Sequence, residues 1–214
     1  MKELSISEYL NNPCGACANA YWKNAAFQKP DNVQIFHEKD INNLDLSLYE
    51  VMRYFRLLHN LKNISVPDPN DGCAFITVNK ETQKDLVAEI INKCYGANFS
   101  VQTVEAWTNY KVFDNDLWII AVEKNIGEPL ALGIADFDRE IGEGSLEWIQ
   151  VLPKYQKLGF GKAVVNELLR RLSVKAKFVT VSGRSDNPAN PEKLYRSCGF
   201  NGNDIWYVLT PKKN

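Results

Sequence analysis

Val151-Leu152-Pro153-Lys154-Tyr155-Gln156-Lys157-Leu158-Gly159-Phe160-Gly161-Lys162-Ala163 reads as the end of a strand, a tight loop and the first turn of a helix. Upstream, Leu146 to Val151 is apolar apart from Glu147 and Gln150, the pattern of a buried strand, and Pro153 ends its ladder. Downstream, Ala163, Val164, Leu168, Leu169 and Leu172 recur at helical spacing to one side of Lys162, Glu167, Arg170 and Arg171. Gly159 and Gly161 have no side chain to hold a ligand away. Successive backbone N–H groups at the positive end of the helix dipole can then reach phosphate oxygens. Each such contact is worth roughly 0.3–1 kcal/mol, so several together matter. The plain alternative is a glycine-softened turn with no ligand.

The spacing Gln156-x-x-Gly159-x-Gly161, preceded by Val151-x-Pro153, resembles the acyl-CoA signature of the GNAT superfamily of N-acetyltransferases. It differs from the dinucleotide fingerprint, which needs Gly-x-Gly-x-x-Gly after a first strand and an acid about 20 residues later. It also lacks the Gly-Lys-Ser/Thr ending of a nucleotide-triphosphate loop. A second segment, Asn190-Pro191-Glu192-Lys193-Leu194-Tyr195-Arg196-Ser197-Cys198-Gly199-Phe200, is similar to the family's other CoA-side helix, which ends Leu-Tyr-x-x-x-Gly-Phe. The resemblance implies a GNAT fold over about residues 72 to 210, an α+β architecture with a central, mostly antiparallel mixed sheet and flanking helices.

It also implies roles. Gln156, Lys157, Leu158, Gly159, Phe160, Gly161 and Lys162 would hold the pyrophosphate of acetyl-CoA, and the backbone of Ile149, Gln150 and Val151, on a bulged strand, would bond the pantetheine arm. Tyr195 corresponds to the tyrosine that protonates the departing thiolate. A thiol titrates near 8.5 and a phenol near 10, so that transfer is mildly uphill unless the site assists it, and a hydrogen bond to the sulfur is the other reading. Where the family places an asparagine seven residues before the tyrosine this chain has Pro188, which leaves Asn187 and Asn190 as candidates for the contact with the CoA arm. Independently, Asn190 and Pro191 read as a helix cap and first helical residue.

An alkyl ammonium, with a pKa near 10.4, must lose a proton before it can attack a thioester. Glu147 is the first candidate base, directly or through a water, and an ordinary solvent-face strand residue is the competing reading. Asp136, Asp138 and Gln150 stand behind it. Strict alternation puts Trp148 on the face opposite Glu147, in the core, while Trp107, Trp118 and Trp206 could wall an acceptor pocket or simply pack. Cys198 beside Tyr195 has no histidine in its segment to activate it, which argues against a covalent intermediate.

The chain has 214 residues, 45% hydrophobic and 24% charged, with a formal net charge of −1. That is enough for one good core and an extra module, and it lacks the basic excess of a nucleic-acid protein. Charge is segregated locally: Asp136, Asp138, Glu140, Glu143 and Glu147 stand against Arg139 alone, whereas Pro153 to Arg184 carries eight bases against Glu167. Two solvated faces, or a cationic acceptor drawn to the acids and CoA phosphates to the bases, both fit. The first ten residues carry three charges and the longest apolar run, Leu117 to Val122, is short, so a cytoplasmic protein without a membrane partner is expected. Cys14, Cys17, Cys73, Cys94 and Cys198 are odd in number and scattered, against a disulfide framework. Cys14-Gly15-Ala16-Cys17 lacks two further zinc ligands at the usual spacing, and Asn11-Asn12-Pro13 before it suggests a loop, so no metal is expected.

Residues 1 to 70 form an N-terminal extension of helix and loop, and residues 71 to 214 the catalytic domain. Leu46 to Leu61 reads as an amphipathic helix and Val66 to Gly72 as the boundary. The extension could pack on the core, lid the acceptor pocket or build a dimer, so monomer and homodimer both stand. After it the reading is a strand at Cys73–Val78, a helix at Glu81–Tyr95 ended by Gly96, and a helical piece over Val101–Val112. Strands follow at Leu117–Glu123, Pro129–Phe137 and Ser145–Leu152, then the loop helix, Phe178–Ser182, the Tyr195 helix and Ile205–Thr210. The expected activity is transfer of an acetyl group from acetyl-CoA to a primary amine, of a small molecule or a peptide, in a ternary complex. A CoA-binding or sensing module without turnover is the alternative.

Overall fold

A computed structural model describes residues 4–26, 29–42, 44–64, 72–96 and 98–212. Its helices are α1 (Ile6–Asn11), α2 (Pro13–Ala16), α3 (Tyr21–Ala26), α4 (Lys84–Tyr95), α5 (Val101–Thr108), α6 (Phe160–Leu172) and α7 (Pro191–Ser197). Its strands are β1 (Gln34–His37), β2 (Tyr49–His59), β3 (Cys73–Thr77), β4 (Trp118–Glu123), β5 (Pro129–Asp138), β6 (Glu143–Val151), β7 (Phe178–Arg184) and β8 (Asn201–Pro211). The α+β class expected from the sequence is the one observed, and the pairs β1–β8, β2–β8, β3–β4, β4–β5 and β5–β6 are antiparallel. Among the described residues no helix is long and apolar enough to cross a membrane. The chain packs as two compact units, Leu61–Val179, and Met1–Asn60 together with Thr180–Asn214.

In Leu61–Val179, β3, β4, β5 and β6 form a meander in which each strand pairs with the next. Alternation along β4 and β5 sends Trp118, Ile120, Val122, Leu132 and Ile134 to one face, where they pack with Val87, Ile90 and Ile91 of α4 and Val104 of α5. The opposite face takes α6. Gly133 lies so close to it that a Cβ there would come within 2.5 Å of Val164 Cγ1, and one on Gly144 within 2.8 Å of Leu172 Cδ2. The absence of side chains at these two positions is what lets the helix lie flat on the strands.

The helix limits have local causes. Asn79 Oδ1 accepts from the N–H groups of Glu81 (2.9 Å) and Thr82 (3.3 Å), a side-chain turn that delays α4 to Lys84 instead of the expected Glu81. Gly96, at φ 61°, closes it as expected, returning its N–H to Asn92 O. Helix α5 stops at Thr108, short of Val112, because Tyr110 N–H bonds Trp107 O and Phe113 N–H bonds Tyr110 O, which tightens the chain into turns.

In the other unit, β8 lies between β1 and β2. The amphipathic helix expected over Leu46–Leu61 is not formed: a turn of 3-10 helix at Leu46–Leu48 leads into the 11-residue strand β2. Its second half buries consecutive residues, Phe55, Arg56 and Leu57, which only a strand covered on both faces does. Arg56 is 2% exposed and donates to Tyr9 Oη (2.7 Å), Ser182 Oγ (2.9 Å) and Thr180 Oγ1 (3.3 Å), tying α1 to β2 and β7. The boundary expected at Val66–Gly72 falls, apart from Gly72, outside the described residues. Asn12 and Pro13 start the one-turn helix α2 where a loop was expected, with Asn12 Oδ1 accepting from Gly15 N–H. All five cysteines carry free thiols, and Cys17 Sγ donates to Asn24 Oδ1 at 3.0 Å.

Candidate functional site

Strand β6 is irregular where the site begins. Across the β5–β6 ladder, Ala135 opposes Leu146 and Ile134 opposes Trp148, so Glu147 is the extra residue of a β-bulge. Ser145 opposes Asp136, and Asp136 shares a face with Ile134 two residues earlier. Trp148 therefore joins Ser145 on the face that packs against α4 and α5. Ser145 Oγ donates to Glu147 Oε1 at 2.9 Å, which holds that carboxylate on the same face. The expectation that Trp148 points away from Glu147 is corrected by this one inserted residue, since a single-residue shift exchanges the faces of everything after it. Glu147 is half-buried, unlike an open solvent-face residue.

Beyond the bulge, Ile149 opposes Gly133 and Val151 opposes Ala131 on the α6 face, while Gln150, 8% exposed, opposes Leu132 on the α4/α5 face. Cys94 Sγ of α4 donates to Val151 O at 3.5 Å, and Gln156 Nε2 donates to the same oxygen at 3.3 Å. The strand end and the loop after it are thus pinned at one carbonyl.

The loop is shaped for an anion. A turn at Pro153–Tyr155 brings the chain to Lys157, at φ 65°, and Gly159, at φ 93°, two left-handed residues that turn it into α6. No side chain among the described residues caps the N-terminus of α6. The N–H groups of Phe160, Gly161 and Lys162 thus open a 13-residue helix without a side-chain acceptor. A Cβ on Gly159 would meet nothing within 4 Å, so this side of the loop is open. Gln156, Lys157, Leu158 and Lys162 are exposed, Phe160 and Gly161 half-buried. The donor set, backbone N–H groups and two lysines with no carboxylate in the segment, suits a phosphate group.

Most other bases of this stretch are engaged. Lys154 Nζ lies 3.5 Å from Glu128 and 5.0 Å from the centre of the Tyr155 ring. A hydrogen bond with Tyr155, and then Glu128, raise the Lys154 ammonium above its ordinary value. Arg170 and Arg171 both hold Glu167, at 2.7 Å each. Burial pushes the Glu167 carboxyl up, but the hydrogen bonds and charges of the two guanidiniums outweigh it and leave the group below its usual value. Of the acids upstream, Asp136 is 9% exposed, Asp138 3% and Glu143 1%, whereas Glu140 lies exposed.

Tyr195, Asn187 and Asn190 belong to the unit Met1–Asn60 with Thr180–Asn214. Tyr195 is 8% exposed on α7, its ring 6.1 Å from Phe55 and 5.8 Å from Phe200. Asn190 caps α7 as expected, its Oδ1 accepting from Lys193 N–H at 3.3 Å, with Pro191 at the first helical position. Asn187 Oδ1 accepts from Ala189 N–H at 2.9 Å. Both asparagine carbonyls are therefore spent on local turns, which leaves their amide N–H groups for any ligand. Cys198 is buried, and Trp206 sends its indole N–H to Cys14 O at 2.8 Å, a packing role.

The structure thus gathers Glu147, Ile149, Gln150, Val151 and the Gln156–Lys162 loop on one continuous strand–loop–helix, and Tyr195 with the two asparagines around α7. The sequence reading missed the aromatic cluster beside Glu147. Trp148 stacks on Trp107 of α5, with centroids 5.3 Å apart and planes at 17°, and Phe99 meets both rings edge-on at 5.3 and 5.7 Å. The signal available was Trp107 on an expected helix and Trp148 beside the candidate base, but alternation separated them.

The family model described as the acetyltransferase (GNAT) family matches residues 84–200. Among solved structures, a GCN5-related N-acetyltransferase from Sphaerobacter thermophilus superposes with a TM-score of 0.68 at 15% identity, covering 91% of this chain and 66% of that one. A GNAT-family acetyltransferase from Colwellia psychrerythraea gives 0.62 at 17% identity, covering 83% and 64%. The ribosomal-protein-S18-alanine N-acetyltransferase from Escherichia coli gives 0.52 at 21% identity, covering 65% and 93%. At these identities the likeness is one of fold. The chain spans about two thirds of the length of the first two. Curated protein sequences gave no match.

Proposed function

Since the chain belongs to the GNAT acetyltransferase family, we propose that it transfers the acetyl group of acetyl-CoA to a primary amine by direct attack in a ternary complex. The observation that carries this reading is the uncapped, glycine-led N-terminus of α6, opening directly behind a bulged strand. The pyrophosphate of CoA takes the N–H groups of the Gln156–Lys162 loop, with Lys157 and Lys162 supplying positive charge. The pantetheine arm runs along the backbone of Ile149, Gln150 and Val151. Asn187 and Asn190 offer amide N–H groups to the same arm.

Starting from the ammonium, the nitrogen must lose two protons, one before attack and one as the amide forms, and the sulfur must gain one. Glu147, directly or through a water, takes the proton of the amine, whose nitrogen lone pair then forms a C–N bond to the thioester carbonyl. The carbonyl oxygen carries the developing charge beside the N–H groups near Val151. Collapse of the tetrahedral species breaks the C–S bond, the nitrogen gives up its second proton to solvent, and the thiolate takes a proton from the Tyr195 hydroxyl, which solvent restores. Ser145 steadies the base through its 2.9 Å bond to Glu147. No enzyme nucleophile is required.

Thiol release from acetyl-CoA across a panel of amines tests the assignment, with wild type beside Tyr195→Phe and Glu147→Gln. Amine-dependent release that falls by about 100-fold or more in the variants is expected, the scale of losing an acid or base. Tight CoA binding with no amine-dependent release by the wild type would instead make the chain a CoA-binding module.

A further inference from the structure

Resting on the acyltransferase reading, the acceptor can be narrowed from the face that Glu147 occupies. We propose that the acceptor is a primary amine carrying an aromatic ring a few bonds from its nitrogen, and that Trp148 is the wall that selects it. Three observations converge. The bulge puts two consecutive side chains, Glu147 and Trp148, on one face, so a carboxylate and an indole stand side by side. Trp148 is itself only half-buried, and its ring is held at a fixed angle by the stack on Trp107 and by Phe99. Tyr95, 58% exposed, meets Trp148 edge-on at 5.7 Å and extends the aromatic surface outward.

Charge and shape name the occupant. An ammonium arriving at Glu147, with Asp136 and Ser145 on the same face, finds negative charge, and whatever the nitrogen carries lies against aromatic rings. A ring packs there offset or edge-to-face and gains beyond the area it buries, whereas an alkyl chain gains area alone. A polyamine fits less well. Its second cation would need another exposed carboxylate on this face, and the other acids there, Asp136, Asp138 and Glu143, are closed at 9%, 3% and 1% exposure.

The test uses 2-phenylethylamine, hexylamine and spermidine as acceptors, with wild type, Trp148→Leu and Trp148→Phe, and has two independent readouts. Steady-state kinetics should give 2-phenylethylamine a KM lower than that of hexylamine by about two- to tenfold, a preference lost in Trp148→Leu and kept in Trp148→Phe. Quenching of intrinsic tryptophan fluorescence should report saturable 2-phenylethylamine binding, weaker for hexylamine, whether or not turnover occurs. CoA binding measured by calorimetry separates the two levels: if CoA does not bind, the acyltransferase reading fails, while the fluorescence arm still judges the aromatic wall. Near-ultraviolet circular dichroism identifies a misfolded Trp148→Leu, in which case Trp148→Phe and the wild-type quenching decide. Equal KM values for ring and alkyl amines, a preference for spermidine, or a folded Trp148→Leu with unchanged discrimination would overturn the proposal and leave the cluster as packing between α5 and β6.

Discussion

Replacing Gly159 by alanine separates what the loop needs for folding from what it needs for a ligand. The residue sits at φ 93°, ψ −13°, a conformation that costs a residue with a Cβ about 1–2 kcal/mol. No atom lies within 4 Å of the added methyl, so no clash adds to that strain. For a chain of this size the melting temperature should fall by about 2–8 °C. Gly133→Ala is the counterpart. Its methyl would lie 2.5 Å from Val164 Cγ1, 3.0 Å from Leu168 Cδ1 and 3.2 Å from Ile119 Cγ1, so α6 must move off β5. Overpacking of this kind typically costs about 1–3 kcal/mol. The two variants should therefore lose comparable stability by urea denaturation, yet only Gly159→Ala should lose CoA affinity beyond what its stability explains, because its methyl enters the open side of the cradle. CoA titration by calorimetry reads the difference. A Gly159→Ala protein that binds CoA as well as wild type would refute the cradle, and one destabilised by well over about 3 kcal/mol would refute the open space.

Three further outcomes follow from local chemistry. Burial lowers the pKa of His59 even though the ring donates a hydrogen bond to the Cys198 backbone carbonyl, so the fold favours the neutral imidazole. The unfolded chain then binds the extra proton first, and stability should fall as pH drops below about 6.5 toward the lower folded value. A urea series across that range should flatten in His59→Gln. Glu167→Gln should cost about 1–3 kcal/mol by removing the charged acceptor of Arg170 and Arg171. Because the Glu167 carboxyl is depressed in the fold, the wild-type advantage is present above about pH 4.5 and disappears as pH falls through the folded value, which acid titration of the two proteins compares. Asn190→Ala should lose about 0.5–2 kcal/mol for the missing α7 cap, read as a lower melting temperature, with Asn190→Gly milder because Asn190 sits at φ 48°.

The parts of the fold that were legible in the sequence are those where one local rule decides. Pro153 ended β6, Gly96 closed α4, and Asn190 with Pro191 opened α7, each for a reason contained within a few residues. Leu46–Leu61 was not legible. A strand buried on both faces presents a continuous apolar run that three-and-four spacing also fits, and the buried Arg56 stood in it looking like a solvent face. The bond partners that make that arginine a core residue, Tyr9, Thr180 and Ser182, are distant in sequence.

The candidate site divides the same way. The turn from Gln156 into α6 could be read from its glycines, because Gly159, at φ 93°, holds a conformation that favours a residue without a Cβ. The identity of the Glu147 face could not, because a bulge is set by the partner strand: Ile134 and Ala135 oppose Trp148 and Leu146, and nothing within Ser145–Ile149 announces the skipped residue. That one residue decides whether Trp148 lies on the α6 face of the sheet or beside Glu147 on the face that packs against α4 and α5.

Incubation with acetyl-CoA carrying a heavy-isotope acetyl group, in the presence of mixed primary amines, tests the central claim most directly. Mass spectrometry should find the label in an amide of at least one amine, in step with thiol release and dependent on Glu147. Label that stays on CoA or appears only as acetate, with every amine unmodified, would contradict the assignment of this chain as an N-acetyltransferase.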